Sequence, residues 1–194
     1  MINEKNCLEA IAKGSEEALE QLYNEYADRV YNTLISYTKN SEDAEELLQD
    51  VFVTLYNSVA NFEHNSAVST WIYRIAVNKA LDFIRKRNSK KRFGIFTSLY
   101  SKESGEMKYD SIEFVHPGIQ MENKEDAAFL FKAIESLPEN QKTAFILTQI
   151  EGLPQKKVGE IMEQSRKSVE SLVQRAKANL KVELKKFFPE RGKK

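Results

Sequence analysis

The sequence is short of the residues that break helices. Its 194 positions include seven glycines and four prolines, with long stretches free of both and no clear β-hairpin signal. That shortage points to an all-α protein. A single cysteine, Cys7, excludes an internal disulfide, and the two histidines, His64 and His116, share no metal-ligand spacing with it or with each other. A reducing compartment is expected. No apolar run approaches the roughly 20 residues of a membrane span, and the polar start MINEKN does not read as a signal peptide. The expectation is a cytoplasmic protein with no direct membrane insertion. A glycine-rich phosphate loop, a nucleophile elbow and a spaced set of metal ligands are missing as well. The residues therefore support no enzyme, no cofactor, no metal and no small-molecule substrate.

Excess charge of one sign is also lacking: 29 basic side chains match 29 acidic ones. Taken whole, that balance argues against a polyanionic partner. By segment it does not. Residues 1–60 carry 4 basic and 12 acidic side chains, residues 61–92 carry 8 and 2, residues 93–128 carry 3 and 7, and residues 129–194 carry 14 and 8. Two basic blocks separated by an acidic one suggest two polyanion-binding surfaces, with acidic parts free to meet a basic protein. The length admits one large domain or two small ones, and either can bury a core.

What is present centres on Ser69 to Arg87, STWIYRIAVNKALDFIRKR. At 3.6 residues per turn, Ile72, Ile75, Ala76, Ala80 and Phe83 make an apolar stripe suited to a core. Trp71, Arg74, Asn78, Asp82 and Arg85 fall on another stripe. An aromatic plate among guanidinium and amide groups suits unstacked bases and a phosphate backbone. The loop NFEHNSAV before it presents Phe62, His64, Asn65 and Ser66, which fit either a cup for a flipped base or an ordinary connection.

Upstream, a short helix pattern over residues 3 to 13 closes at Gly14, and Ser15 caps a long amphipathic helix to about Lys39. Its apolar positions, including Tyr23, Tyr26 and Tyr37, are expected in the core. Asn40 or Ser41 starts a third helix that buries Ala44, Leu47, Leu48, Val51, Phe52, Leu55 and Val59. Its outer face, Asp43, Glu46, Gln49 and Asp50, fits a solvated surface or a docking face for a basic partner.

Downstream, residues 93–124 hold Gly94, Gly105, Pro117 and Gly118 with no sustained periodicity, which reads as a linker. The second half opens on an apolar stretch from Ala127 to Ser136 and a helix after Leu137-Pro138. A short helix then runs from Pro154 through Met162, and Ser165 caps a last helix to about Phe188. Short helix, tight turn and longer helix is the helix-turn-helix arrangement. Val169, Leu172, Val173, Ala176, Leu180 and Leu184 share one face of the last helix. Arg166, Lys167, Glu170, Gln174, Lys177 and Lys181 share the opposite one, from which base edges and phosphates are in reach.

The run DAEELLQDVFVTLY, a short loop, then STWIYRIAVNKALDFIRKR resembles the second conserved region of bacterial sigma factors of the extracytoplasmic-function (ECF) class. LPENQKTAFILTQIEGLPQKKVGEIMEQSRKSVESLVQRAKANL resembles their fourth region. The resemblance implies two small helical domains, residues 1–92 and 125–194, joined by a flexible linker over 93–124. It implies a promoter-specificity subunit that directs core RNA polymerase to promoter DNA, opens the strands, and answers to an anti-sigma factor. By position, Asp43, Glu46, Gln49 and Asp50 would be polymerase contacts. Asn61, Phe62, His64, Asn65, Ser66, Trp71, Arg74, Asn78 and Lys79 would meet the minus-ten element. Arg166, Lys167, Ser168, Glu170, Ser171, Gln174, Arg175 and Lys177 would meet the minus-thirty-five element. The chain departs from the pattern at Glu163 and Gln164 in the turn, where many members carry a small and then an apolar residue. It departs again at Glu170 and Leu172, where basic residues are frequent. Two other readings compete: a stand-alone helix-turn-helix repressor or activator, which binds its operator without polymerase, and a helical adaptor that binds proteins only.

Overall fold

The computed structural model describes residues 3–63, 65–100 and 124–187, and among them there are helices and no strands. Side chains are described throughout except at residues 91–100, 124–126, 128 and 187. The order is α1 (Glu4–Ala12), α2 (Glu16–Thr38), α3 (Ser41–Ser58), a 3-10 turn (Val59–Asn61) and α4 (Val68–Tyr100). After these come α5 (Lys124–Glu135), α6 (Glu139–Phe145) widening into a π turn (Ile146–Ile150), α7 (Gln155–Met162) and α8 (Arg166–Phe187).

Helix starts follow from side-chain caps. The Asn3, Ser15, Asn40 and Ser165 side chains accept from the backbone N–H three residues on, satisfying one of the donors that each helix leaves open. Ends are set by left-handed backbone. Gly14 (φ 89°) and Gly152 (φ 66°) adopt it without steric cost, whereas Lys39 (φ 57°) and Glu163 (φ 55°) do so with a Cβ to accommodate.

Helices α1 to α4 form the first half. Leu22, Val30, Leu34, Ala44, Val51, Leu55, Ile72, Ala76 and Ala80 have no solvent exposure there. Each larger aliphatic side chain contributes about 1.5–3 kcal/mol by leaving water. Tyr26 and Tyr37 are buried as expected, but Tyr23 is 38% exposed. It sits at the rim of the α2 stripe and lays its ring against Phe52, with centroids 4.8 Å apart.

Helices α5 to α8 form the second half, and the two halves pack together. One apolar cluster runs from the first half into Phe131, Ile134, Leu137 and Ile146. A second gathers Tyr73 and Val77 of α4 with Ala144, Leu147, Val158, Ile161, Val169, Leu172 and Val173. Helix α4 is thus apolar on two sides: one faces α2 and α3, the other the helix-turn-helix. It also continues to Tyr100, eight residues into the stretch expected to be linker. No proline stops it there, and the lone Gly94 costs a helix only about 1 kcal/mol. Residues 101–123, the rest of the expected linker, lie outside the described residues.

Candidate nucleic-acid interface

Trp71 follows directly from the loop it was paired with. The ring stacks on Phe62 at 4.5 Å and 27°, and both pack partly against the first-half core. The pair pins the loop to the first turn of α4. Asn61 and Asn65 stand exposed on that loop, Ser66 is half-buried, and Asn65 donates to the Glu63 carboxylate at 2.9 Å. His64 lies outside the described residues. Trp71 is therefore packed against the loop and only partly exposed.

Further along α4 the candidate contacts separate. Asn78 is exposed. Lys79 forms an ion pair with Asp50 of α3 at 3.5 Å, joining a residue expected to meet DNA to one expected to meet polymerase. Arg74 is turned toward the second half. Its Nε and Nη2 both donate to the Glu160 carbonyl, at 3.0 and 2.6 Å, and its Nη1 lies 3.4 Å from the Glu163 carboxylate. Around it, Lys157 donates to Ser69 Oγ at 2.9 Å and rests over the Tyr73 ring, and Thr70 Oγ1 donates to Glu160 at 3.5 Å. Burial, with Arg29 nearby, lowers the Lys157 ammonium below its ordinary value, against the attraction of Glu4 and Glu160. The first turns of α4 are thus covered by α7.

On α3, Glu46, Gln49 and Asp50 are exposed and Asp43 is half-buried beside the Asn40 cap. They share one face, next to a groove between α2 and α3 of about 570 Å³ lined by Tyr23, Asp28, Tyr31, Glu45, Leu48 and Gln49 among others. Its combination of aromatic and acidic groups suits a basic amphipathic surface.

In the second half, α7 and α8 meet at a tight turn. Gly159 is needed there: a Cβ at that position would lie 2.7 Å from the Gln164 carbonyl oxygen. Beyond the turn, α8 buries Val169, Leu172, Val173, Ala176 and Leu180. It leaves Arg166, Lys167, Glu170, Ser171, Gln174, Arg175 and Lys177 in solvent, with Ser168 half-buried and donating to Gln164 at 2.7 Å. Leu172, read against the family as a lost basic contact, is a core residue of this chain.

Three residues that the sequence reading did not single out lie where the two halves meet. Tyr73 and Val77 form the second apolar side of α4, signalled by their spacing of four with Leu81. Glu151 lies between the halves with Oε1 sealed from solvent and without a hydrogen-bond partner. Burial raises its carboxyl to about 7, with the Thr33 hydroxyl pulling the other way.

A loop-and-helix surface with an aromatic support, and a helix-turn-helix with a basic outer face, define a two-part all-α protein of the transcription machinery. Residues 22–90 match the model of sigma-70 region 2, and residues 130–180 match that of sigma-70 region 4. The ECF RNA polymerase sigma factor SigM of Bacillus subtilis (strain 168) is 31% identical over 163 residues, covering 84% of this chain and 93% of that protein. Two solved structures share the fold. One is CnrH in complex with the cytosolic domain of CnrY, with TM-score 0.66 and 19% identity over 93% of this chain and 96% of that one. The other is the sigma factor RpoE of Bartonella quintana in complex with the anti-sigma factor NepR, with TM-score 0.61 and 22% identity over 86% and 96%. The chain belongs to the ECF RNA polymerase sigma factors, the promoter-directing subunits of transcription initiation.

Proposed function

We propose that this sigma factor docks on core RNA polymerase through Asp43, Glu46, Gln49 and Asp50, and reads the two promoter elements with its two halves. The minus-ten element meets Asn61, Phe62, His64, Asn65, Ser66, Arg74, Asn78 and Lys79, with Trp71 holding the loop in place. The minus-thirty-five element meets the solvent face of α8 from Arg166 to Lys177. Domains at 1–92 and 125–194 fit this division, as do the family matches at 22–90 and 130–180. An anti-sigma factor and a cytoplasmic site of action go with it.

The observation that carries the reading is the occupation of Arg74. A guanidinium suited to a phosphate is held instead by a backbone carbonyl, that of Glu160, and by the Glu163 carboxylate. Free protein is closed, and promoter binding requires α7 to leave α4. Polymerase supplies the fixed separation at which two modest DNA affinities combine. Strand opening draws on binding alone: unstacking costs a few kcal/mol per base, comparable with about 1–3 kcal/mol per stacked base plus phosphate contacts.

The test is reconstituted transcription with core polymerase on a promoter library, beside a gel shift with the protein alone. Promoter-specific initiation that needs polymerase is expected. Tight, sequence-specific binding by the protein alone would instead favour a stand-alone regulator, and specific initiation unaffected by Arg74→Ala and Lys79→Ala would remove the assignment on α4.

A further inference from the structure

The contact between the halves carries polar atoms that apolar packing does not explain. Thr33 and Tyr37 stand one turn apart on α2, 0% and 2% exposed, and the second half brings Thr143 of α6 and Glu151 to them. Three of these side chains end in atoms sealed from solvent and without a hydrogen-bond partner: Tyr37 Oη, Thr143 Oγ1 and Glu151 Oε1. Glu151 is fixed there by backbone. It closes the π turn, its N–H donating to the Ile146 carbonyl at 3.0 Å, and Ile146 and Leu147 of the same turn are fully buried.

Nothing around Glu151 balances a negative charge. The Thr33 hydroxyl is within its reach, but it donates to the Arg29 carbonyl at 3.0 Å and so keeps only a lone pair for the carboxyl. A protonated carboxyl can donate to that lone pair; a carboxylate cannot. The titratable and charged groups that face this cluster are Tyr37 and Arg29 of α2, Tyr73 of α4 with Lys157 of α7 over its ring, and Glu139 of α6. None of them pairs with Glu151 among the described residues: Arg29 lies 3.8 Å from Glu25, Lys157 donates to Ser69 at 2.9 Å, and Glu139 accepts from Arg85 at 3.2 Å. An unpaired carboxylate in such a contact is costly, whereas water solvates it once the halves part.

We propose that Glu151 is a proton-operated latch between the halves: with its proton on, it donates into the cluster and the chain stays closed; with its proton off, the uncompensated carboxylate favours the open form. The latch rests on the closed-to-open reading given above for promoter binding. Its sign follows from burial, which raises the carboxyl to about 7 from the ordinary 4.5. The closed form holds a proton that the open form releases, so closure weakens as pH rises between those values and levels off above them. Tyr37 and Tyr73 are pushed upward by burial, away from neutrality.

The experiment places a donor and acceptor dye pair on exposed positions of α1 and α8 of the full chain and titrates in core polymerase at roughly pH 6 and pH 8. The amount needed to separate the dyes reports the closed-to-open ratio even where the free chain is nearly all closed. Glu151→Gln is run beside the wild type, so that the response of polymerase itself to pH cancels, and Glu151→Met repeats the comparison with no hydrogen-bonding atom at the position. His64 and His116, which also titrate near neutrality, are kept in both variants. Relative to either variant, the wild type is expected to need about threefold to tenfold less polymerase at pH 8 than at pH 6. A ratio of wild type to variant that is the same at both pH values overturns the latch. Dyes that never separate, whatever the polymerase concentration, overturn the closed-to-open reading and the latch with it.

Discussion

Replacing Glu151 by glutamine should make the closed protein more stable at neutral and alkaline pH and erase a slope in its pH profile. The wild-type carboxyl sits between the halves with Oε1 sealed and unpartnered, and burial raises it from the ordinary 4.5 to about 7. The folded state thus holds a proton that the unfolded state releases. Below about pH 4.5 both states are protonated and the group has no effect; between 4.5 and 7 stability falls as pH rises; above 7 the full penalty of a buried carboxylate remains. At ~1.36 kcal/mol per pH unit the ceiling is about 3 kcal/mol, and partial solvent access to the residue reduces the expected effect to about 1–2 kcal/mol. Glutamine keeps the shape without the charge. Among neighbouring groups, Tyr37 and Tyr73 are pushed upward by burial, out of this window. Against the effect of burial, Lys39 holds the Glu135 carboxyl below its ordinary value, so it acts at lower pH. The assay is urea unfolding of both proteins at roughly pH 5 to 8. A wild type that is flat across that range, with a glutamine variant no more stable at its upper end, would refute the reasoning by showing that the carboxylate is solvated.

Gly159→Ala drives a methyl into the Gln164 carbonyl at 2.7 Å and should cost about 1–3 kcal/mol, read as a lower urea midpoint. Asn40→Ala removes the acceptor for the Asp43 N–H and should cost about 1 kcal/mol, read in the same way. Arg74→Ala loses a charged hydrogen-bonding group to Glu160 and should weaken closure by about 1.5–3 kcal/mol, seen as a longer distance between dyes on the two halves, while also reducing promoter opening. Trp71→Ala removes the support of Phe62 and should lower open-complex formation more than polymerase affinity, measured by permanganate footprinting and by binding to core enzyme respectively.

Local chemistry was readable from the chain. Ser15, Asn40 and Ser165 sit just before periodic apolar runs, and each caps the helix it was expected to cap. The helix-turn-helix followed from the same logic, and the buried face of α8 matches its spacing. What escaped depends on the other half of the chain. Tyr73 and Val77 were not singled out because their cover, Leu147 and Val158, lies about 70 to 85 residues away in sequence. Arg74 read as free for DNA because the carbonyl that binds it, Glu160, belongs to backbone, which has no signature in a sequence. Tyr23 read as core from its periodicity, yet it lies at the margin of a stripe that leaves it at the surface. The fate of Glu151 could not be read at all: nothing in its neighbourhood along the chain foretells enclosure by α2 and α4.

The second apolar side of α4 has a bearing on the life of the open molecule. In the proposed opening, where α7 lifts away and Arg74 is released for DNA, the contact of Tyr73 and Val77 with Leu147 and Val158 is lost in the same movement. The active shape is therefore sticky, and its population in free solution is held down by the water it would have to face. Such a molecule passes between states by handover, exchanging its own second half for another surface without a naked interval. Anything that takes it out of the closed form must cover that greasy strip as well as its charges.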